Sequence, residues 1–324
     1  ELMTVNVPSQ APVATDTAPT AIPVKYEWQG HWQDLADGLV QVDWVWVGGM
    51  TGANGAPTPA PGRDRWIHDH DLGLGTLRPK SIQALHVTTA APVTDPQQAM
   101  QVVESTSMAV PPGLPPGTYR LFVHYFNPQT GITYPISAPT VQVELAPNVS
   151  PPAVPHELDY GTQLRILAKG LPQGIETLNG AMDVLGRINA YDPIQHYLPT
   201  SEIMLERRLA TWPDRVDWAY AVGLANVMQM DVDGAIAAME RVARLDATNP
   251  NAHAYLAFVN LYGFHPHAAQ AALADALALD PNSAIVHQLA AVANLMAGNP
   301  IQAWRHWQRS TQLSAITSSP IAPT

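Results

Sequence analysis

The stretch RWIHDHDLG, residues 65–73, places two histidines and two aspartates in four consecutive positions. Imidazole and carboxylate are the side chains that hold divalent metals and that move protons near neutral pH. Arranged on a strand, His68 and His70 share one face and Asp69 and Asp71 the other. A zinc or iron site on His68 and His70 needs a third ligand from elsewhere, and His31, His86 and His124 are candidates. The aspartates lack the glycine-punctuated loop of a helix–loop–helix calcium site. The reading without chemistry is a polar strand end after the loop GANGAPTPAPGRD, with Trp66 packed and the other side chains in water. If a metal binds, His68 and His70 are its place, and it would brace a loop or interface rather than drive a reaction.

No second motif completes a reaction centre. The sequence contains no GxSxG elbow, no GxxxxGKS/T phosphate loop and no HExxH. GLGTLRP, residues 73–79, lacks the third glycine of a dinucleotide fingerprint. Paired carboxylates for glycoside hydrolysis are a matter of spatial placement, which 27 acidic residues do not specify. The absence of cysteine excludes disulfides, thiolate metal sites and cysteine nucleophiles. No cofactor is expected beyond that metal ion. The formal charge of −11 and the lack of any basic cluster argue against nucleic acid and anionic membranes. No apolar run reaches the roughly 20 residues of a membrane helix, so a soluble chain is expected. It begins at Glu1, as a processed N-terminus would.

The elements that would position these residues divide the chain. With 324 residues, two domains of ordinary size are expected. Residues 1–23, rich in Pro, Thr, Ala and Val, read as an extended arm, and 318–324 as a tail of similar character. APNVSPPAVPHE, residues 146–157, is aperiodic and proline-rich, so a linker is placed at 147–157. Upstream, over 24–146, alternation marks strands. In LVQVDWVWVG (39–48), Val40, Val42, Trp44 and Trp46 point one way and Gln41 and Asp43 the other. IQALHVTT (82–89), TYRLFVHYF (118–126) and TVQVEL (140–145) behave similarly, separated by turn residues. The pattern predicts an antiparallel β-sandwich.

Downstream, over 158–317, the period becomes helical and then repeats. Windows 216–249, 250–283 and 284–317 align without gaps. Asn226, Asn260 and Asn294 recur, as do Gly223, Ala257 and Ala291, then Ala235, Ala269 and Ala303, then Leu245, Leu279 and Leu313. Small residues at fixed positions let two helices of a hairpin approach. Residues 158–215 read as degenerate hairpins, with EIMLERRLATWPD (202–214) a second helix closed by proline. The fold class is therefore multidomain β plus α: a sandwich followed by a helical solenoid.

Two resemblances follow from these residues. PPGLPPGTYRLFVHYFNPQTGITYPI resembles a β-sandwich module of bacterial envelope proteins, some attached to membrane glycosyltransferases. Pro115, Pro116, Gly117, Tyr119 and Leu121 match its strand; Thr130 and Gly131 match its turn, where Asn127 replaces an acid. Gly55, Pro57, Thr58 and Trp66 match a further segment. The 34-residue helix–turn–helix period looks like the tetratricopeptide repeat, supported by LALDPN (277–282) and Gly298. The aromatic usual where the three asparagines sit is absent, and those asparagines are expected to form a ladder between helices.

The tetratricopeptide resemblance implies a concave groove for protein partners. Its positions here are Asp217, Tyr220, Leu224 and Val227; Asn251, Ala254, Phe258 and Leu261; and Ile285, Gln288, Val292 and Leu295. The groove is largely apolar and lacks a Lys/Arg carboxylate clamp. These features together lead to a non-enzymatic, extracytoplasmic assembly protein of the bacterial envelope or surface. Its partners are proteins including copies of itself, as in a filament, with arms that could add a strand to a neighbour. The alternatives are a carbohydrate-binding module using Trp28, Trp32, Trp44, Trp46 and Trp66 on a repeat scaffold, or a metal-dependent hydrolase at His68 and His70.

Overall fold

The computed structural model describes residues 1–15, 20–36, 38–48, 64–75, 95–154, 156–191 and 196–317. The expected strand 82–89, His86, most of the loop before Arg65, and the tail 318–324 lie outside these residues. The chain divides into two compact units, Glu1–Gln163 with Asp192–Met204 and Leu164–Tyr191 with Leu205–Thr324.

The first unit is an N-terminal β region of two sheets. One has the order β1 (Leu2–Asn6), β3 (Thr20–His31), β7 (Ala99–Val110), all antiparallel. The other runs β2 (Gln10–Pro12), β10 (Gln142–Ala146), β8 (Gly117–Asn127), β4 (Leu39–Gly48), β5 (Arg65–Ile67). There β6 (His70–Asp71) also pairs with β4, and β9 (Ile132–Pro135) with β8. Side chains of both sheets form one buried cluster, including Ile22, Tyr26 and Trp28 of β3, Val42 and Trp44 of β4, and Leu121 of β8. A four-residue helix α1 (Trp32–Leu35) links β3 to β4.

Three expectations are refined. The arm is extended but paired within its own chain, β1 to β3 and β2 in parallel to β10. The strand run 39–48 is β4, and Val40, Val42 and Trp44 are buried; Asp43 is buried too, with Arg65 3.7 Å away. The expected linker is tied down at its end. Ser107 accommodates residues 156 and 157 through its N–H to the Glu157 carbonyl (3.2 Å) and its hydroxyl to the His156 carbonyl (2.7 Å).

The repeats of the second unit are tetratricopeptide-like helix pairs. They follow α2 (Tyr160–Ala168), α3 (Ile175–Tyr191) and α4 (Tyr197–Thr211) in the chain. The pairs are α5 (Val216–Gln229) with α6 (Val232–Leu245), α7 (Pro250–Tyr262) with α8 (Pro266–Leu279), and α9 (Ala284–Met296) with α10 (Pro300–Thr317). Asp231 and Ser283 cap α6 and α9 by accepting from backbone N–H groups of the first turn, and Pro250 and Pro266 occupy first-turn positions. The small residues Ala235, Ala257, Ala269, Ala291 and Ala303 are buried, and a Cβ on Gly223 would collide with the Met239 methyl.

Every hairpin turn is built alike. Met230, Phe264 and Gly298 take left-handed backbone conformations at φ 60°, 60° and 77°. The following N–H bonds back to Asn226, Asn260 and Asn294 at 3.0, 2.8 and 2.8 Å. The residue in the left-handed conformation donates to Val227, Leu261 or Leu295 at 3.1 Å, completing a Schellman closure. The repeated asparagines thus belong to helix ends. Their side-chain amides donate to Val222, Leu256 and Ala290, one turn back in the same helix, and of the expected bonds between helices Asn294 makes one, accepting from Gln270 of α8 at 3.0 Å.

Candidate functional site

Strands β5 and β6 continue one register along β4, on its side away from β8, so residues 65–71 run along the end of the seven-stranded sheet. His68 donates its N–H to the Val42 carbonyl (3.0 Å), and Asp69 accepts from the Val42 N–H with its carboxylate (3.0 Å) in place of a backbone carbonyl. The reading of a solvated strand end is corrected: His68, Asp69, His70 and Asp71 are all buried. Each is kept there by partners, as buried polar groups must be.

The two imidazoles do share a face, with ring centroids 4.7 Å apart, and both stack on Tyr26 at 5.8 and 5.6 Å. His68 Nδ1 lies 3.0 Å from the Tyr26 hydroxyl and its Nε2 3.1 Å from Asp159. A carboxylate only accepts, so Nε2 carries the proton and Nδ1 receives the phenol's. Burial, then the charge of Glu104, push the Tyr26 phenol well above its usual range, so it stays a donor. His70 is bound differently. Its Nδ1 faces the His68 carbonyl (2.8 Å) and its Nε2 faces Glu104 (3.1 Å). Two acceptors require two protons, hence an imidazolium. Burial alone would lower its pKa, but the Glu104 carboxylate raises it to about 9.

Glu104, on β7, also accepts from the Trp28 indole and the Gly73 N–H, both at 2.5 Å. Asp71 accepts from Thr200 at 2.9 Å, and Asp159 from the Thr162 N–H at 2.8 Å at the start of α2. Asp159, His68 and Tyr26 form an acid–imidazole–hydroxyl chain of the kind that activates nucleophiles. Both Tyr26 and His68 have 0% exposure, so no substrate reaches the hydroxyl. The arrangement orders a core. All four ring nitrogens already have hydrogen-bond partners, and among the described residues no three His, Asp or Glu side chains converge as metal ligands would. Glu104, Asp159 and Tyr26 have no motif around them and lie outside the alternating runs that the sequence marks.

The tryptophans considered for sugar stacking are core residues in part. Trp28, Trp44 and Trp66 are buried, Trp44 stacked on Trp66 at 5.6 Å, and Trp32 and Trp46 are half-buried.

In the helical unit the twelve groove positions divide along the repeats. Tyr220 and Leu224 are buried, as is Ala254, and Tyr220 donates to Asp246 (2.9 Å). Burial opposes ionisation of Asp217, but its hydrogen bonds from Arg215 hold the carboxyl below its usual range. The chain's own turn Leu171–Gln173 lies against α7: Asn251 donates to the Pro172 carbonyl (3.1 Å) and Tyr255 to that of Leu171 (2.8 Å). Val227, Asn251, Phe258, Leu261, Ile285 and Gln288 are half-buried, whereas Val292 and Leu295 are exposed.

The fold and site define a β-plus-helical-repeat chain with a sealed polar core. No protein-family model matches the sequence, and no curated protein does. Among solved structures, MamA MSR-1 C2 is similar at 24% identity over 38% of this chain and 71% of its own, with a TM-score of 0.35. Two other MamA crystal structures match at 18% and 15% identity over 49% and 50% of this chain and 91% and 99% of theirs, with TM-scores of 0.37 and 0.36. Likenesses at TM-scores below 0.5 define no family.

Proposed function

We propose that this chain is a non-enzymatic assembly protein of the bacterial envelope or surface, a β-sandwich joined to tetratricopeptide repeats that hold a protein partner. One observation carries the reading. Phe264 occupies a left-handed backbone position, φ 60°, with its ring 80% exposed. A bulky residue there costs roughly 1–2 kcal/mol that glycine avoids, and Gly298 avoids it in the next repeat. Met230, one repeat earlier, is equally left-handed and exposed, and the Tyr262 hydroxyl reaches its sulfur at 3.7 Å. Strain retained to place apolar side chains in water is explained by a partner that covers them. The envelope setting is supported by the sandwich resemblance at Gly117 and Tyr119.

The test is co-purification of the full chain from its native source beside a Met230→Gly, Phe264→Gly variant. A polypeptide retained by the native chain and lost by the variant is expected, while the variant is at least as stable. Equal retention by both, or retention by neither, overturns the reading.

A further inference from the structure

The repeats contain their own control for what a hairpin looks like when the next one covers it. Position by position, Trp307 of α10 corresponds to Leu273 of α8 and Met239 of α6, one period apart. Leu273 is 2% exposed because it lies in one buried cluster with Val286, Ala290 and Ala293 of the following helix α9. Trp307 is 53% exposed. On α9, Val292 and Leu295 correspond to Phe258 and Leu261, which are half-buried, yet both are exposed. Trp304, at 60%, and Ile301 extend the same flank of α10. At 100° per residue, Ile301, Trp304 and Trp307 fall on one side of that helix, and Arg305 and Arg309 on another. A solenoid normally ends in a polar cap. Among the described residues, α9 and α10 instead present the apolar face of an inner repeat.

We propose that this face is an interface with a second copy of the same chain, the two terminal hairpins packing α9–α10 against α9–α10 about a two-fold axis. The proposal rests on the assembly reading above and adds to it a second contact surface, separate from Met230 and Phe264. Two observations select a copy. The surface continues the repeat-on-repeat interface already formed inside the chain, so a helix pair of the same kind fits it. The opposite end of the repeats is closed: Glu206 of α4 pairs with Arg241 of α6 at 2.7 Å, Trp212 meets Trp218 edge-on at 5.9 Å, and α5 is buried from Trp218 to Asn226. Head-to-tail stacking of this face onto that end of another copy is blocked by these contacts, and a self-complementary, closed contact needs no such site.

Charge permits the approach. Copies of a chain with net charge −11 repel one another, yet Asp280 is the last acid in the sequence, and residues 281–324 contain none. The exposed apolar side chains of α9 and α10 amount to roughly 500 Å², the size of the largest, often functional, apolar patch on a single molecule and a large part of the ~800 Å² per partner of a standard interface. Two tryptophans at its middle are the residue type that dominates such contacts.

Light scattering on the full chain, from about 1 to about 100 μM, the range in which an interface of this size associates, tests the proposal. A particle of twice the monomer mass is expected, dissociating on dilution. Trp304→Glu with Trp307→Glu is expected to be monomeric throughout, with an unchanged circular dichroism spectrum. Because introduced charge could perturb α10 itself, Trp304→Gln with Trp307→Gln is measured in parallel and is expected to raise the dissociation constant at least tenfold. A native chain that stays monomeric at the highest concentration overturns the proposal, as does a folded double variant that still pairs. A chain that is monomeric but retains a different polypeptide through Phe264 would sink the two-fold contact and leave the assembly function standing.

Discussion

Both ring nitrogens of His70 face acceptors, the His68 carbonyl and the Glu104 carboxylate, so folding favours its charged form. Its pKa is about 9 in the folded chain against an ordinary 6.5. A folded value raised above the unfolded one contributes stability that is complete below pH 6.5 and is lost as pH rises through about 9. Urea midpoints of the native chain should therefore fall between pH 6.5 and 9, by on the order of 3 kcal/mol at most. Glu104→Gln should flatten that slope and, by leaving a buried cation unpaired, cost about 3–5 kcal/mol at pH 6.5. At the opposite sign, Phe264→Gly should stabilise the repeats by about 1 kcal/mol by relieving a left-handed phenylalanine, read as a higher melting temperature. The histidine cluster was visible as letters. Its burial was not, because Glu104, Asp159 and Tyr26 come from positions 34 to 91 residues away in sequence.

Strand β8 begins at Gly117 with φ 143°, and a Cβ there would overlap the Gly48 carbonyl and meet the Trp46 indole nitrogen at 2.5 Å. The β4–β8 pairing shifts register at that point, between Trp46 and Gly48. Gly117→Ala should cost about 2–3 kcal/mol, since strained backbone and a close approach coincide; chemical denaturation measures it. Strands β4, β8 and β10 were legible because apolar residues alternate along them. Strands β3 and β7 lie outside the runs that alternation marked. On β7 the buried side includes Glu104 and Thr106, and Ser107 is buried on the opposite face against residues 156–157, polar residues whose partners lie elsewhere in the fold, so the alternation is broken in composition. The helix hairpins were legible to their turns, because a 34-residue period repeats the requirement for small residues at Gly223, Ala257 and Ala291.

At the scale of the whole molecule, a solenoid is held by contacts between neighbouring repeats, so damage at one end propagates only partly. Ala293→Asp puts a charge into the cluster shared by Ala290 and Leu273. Hydrogen exchange should show α9 and α10 losing protection while α5 and α6 keep theirs; loss throughout the repeats would contradict nearest-neighbour coupling. Net charge belongs to this scale too. The acids stop at Asp280, which leaves α9 and α10 as the part of an acidic chain on which another copy can settle.

Local pattern by itself determined the order β then α, the strand β4, the 34-residue hairpins and their small buried residues, because these follow from periodicity and steric need within a few turns of chain. Tertiary structure decided what RWIHDHDLG is. The same four side chains would be a metal site in an open cleft and a solvated edge at a sheet margin. Here three distant segments supply a phenol, a glutamate and an aspartate to three of the four ring nitrogens, the His68 carbonyl takes the fourth, and all four side chains of the motif are buried. Which groove positions remain open was likewise decided in three dimensions, since the turn Leu171–Gln173 lies against α7 and no spacing rule relates it to Tyr255.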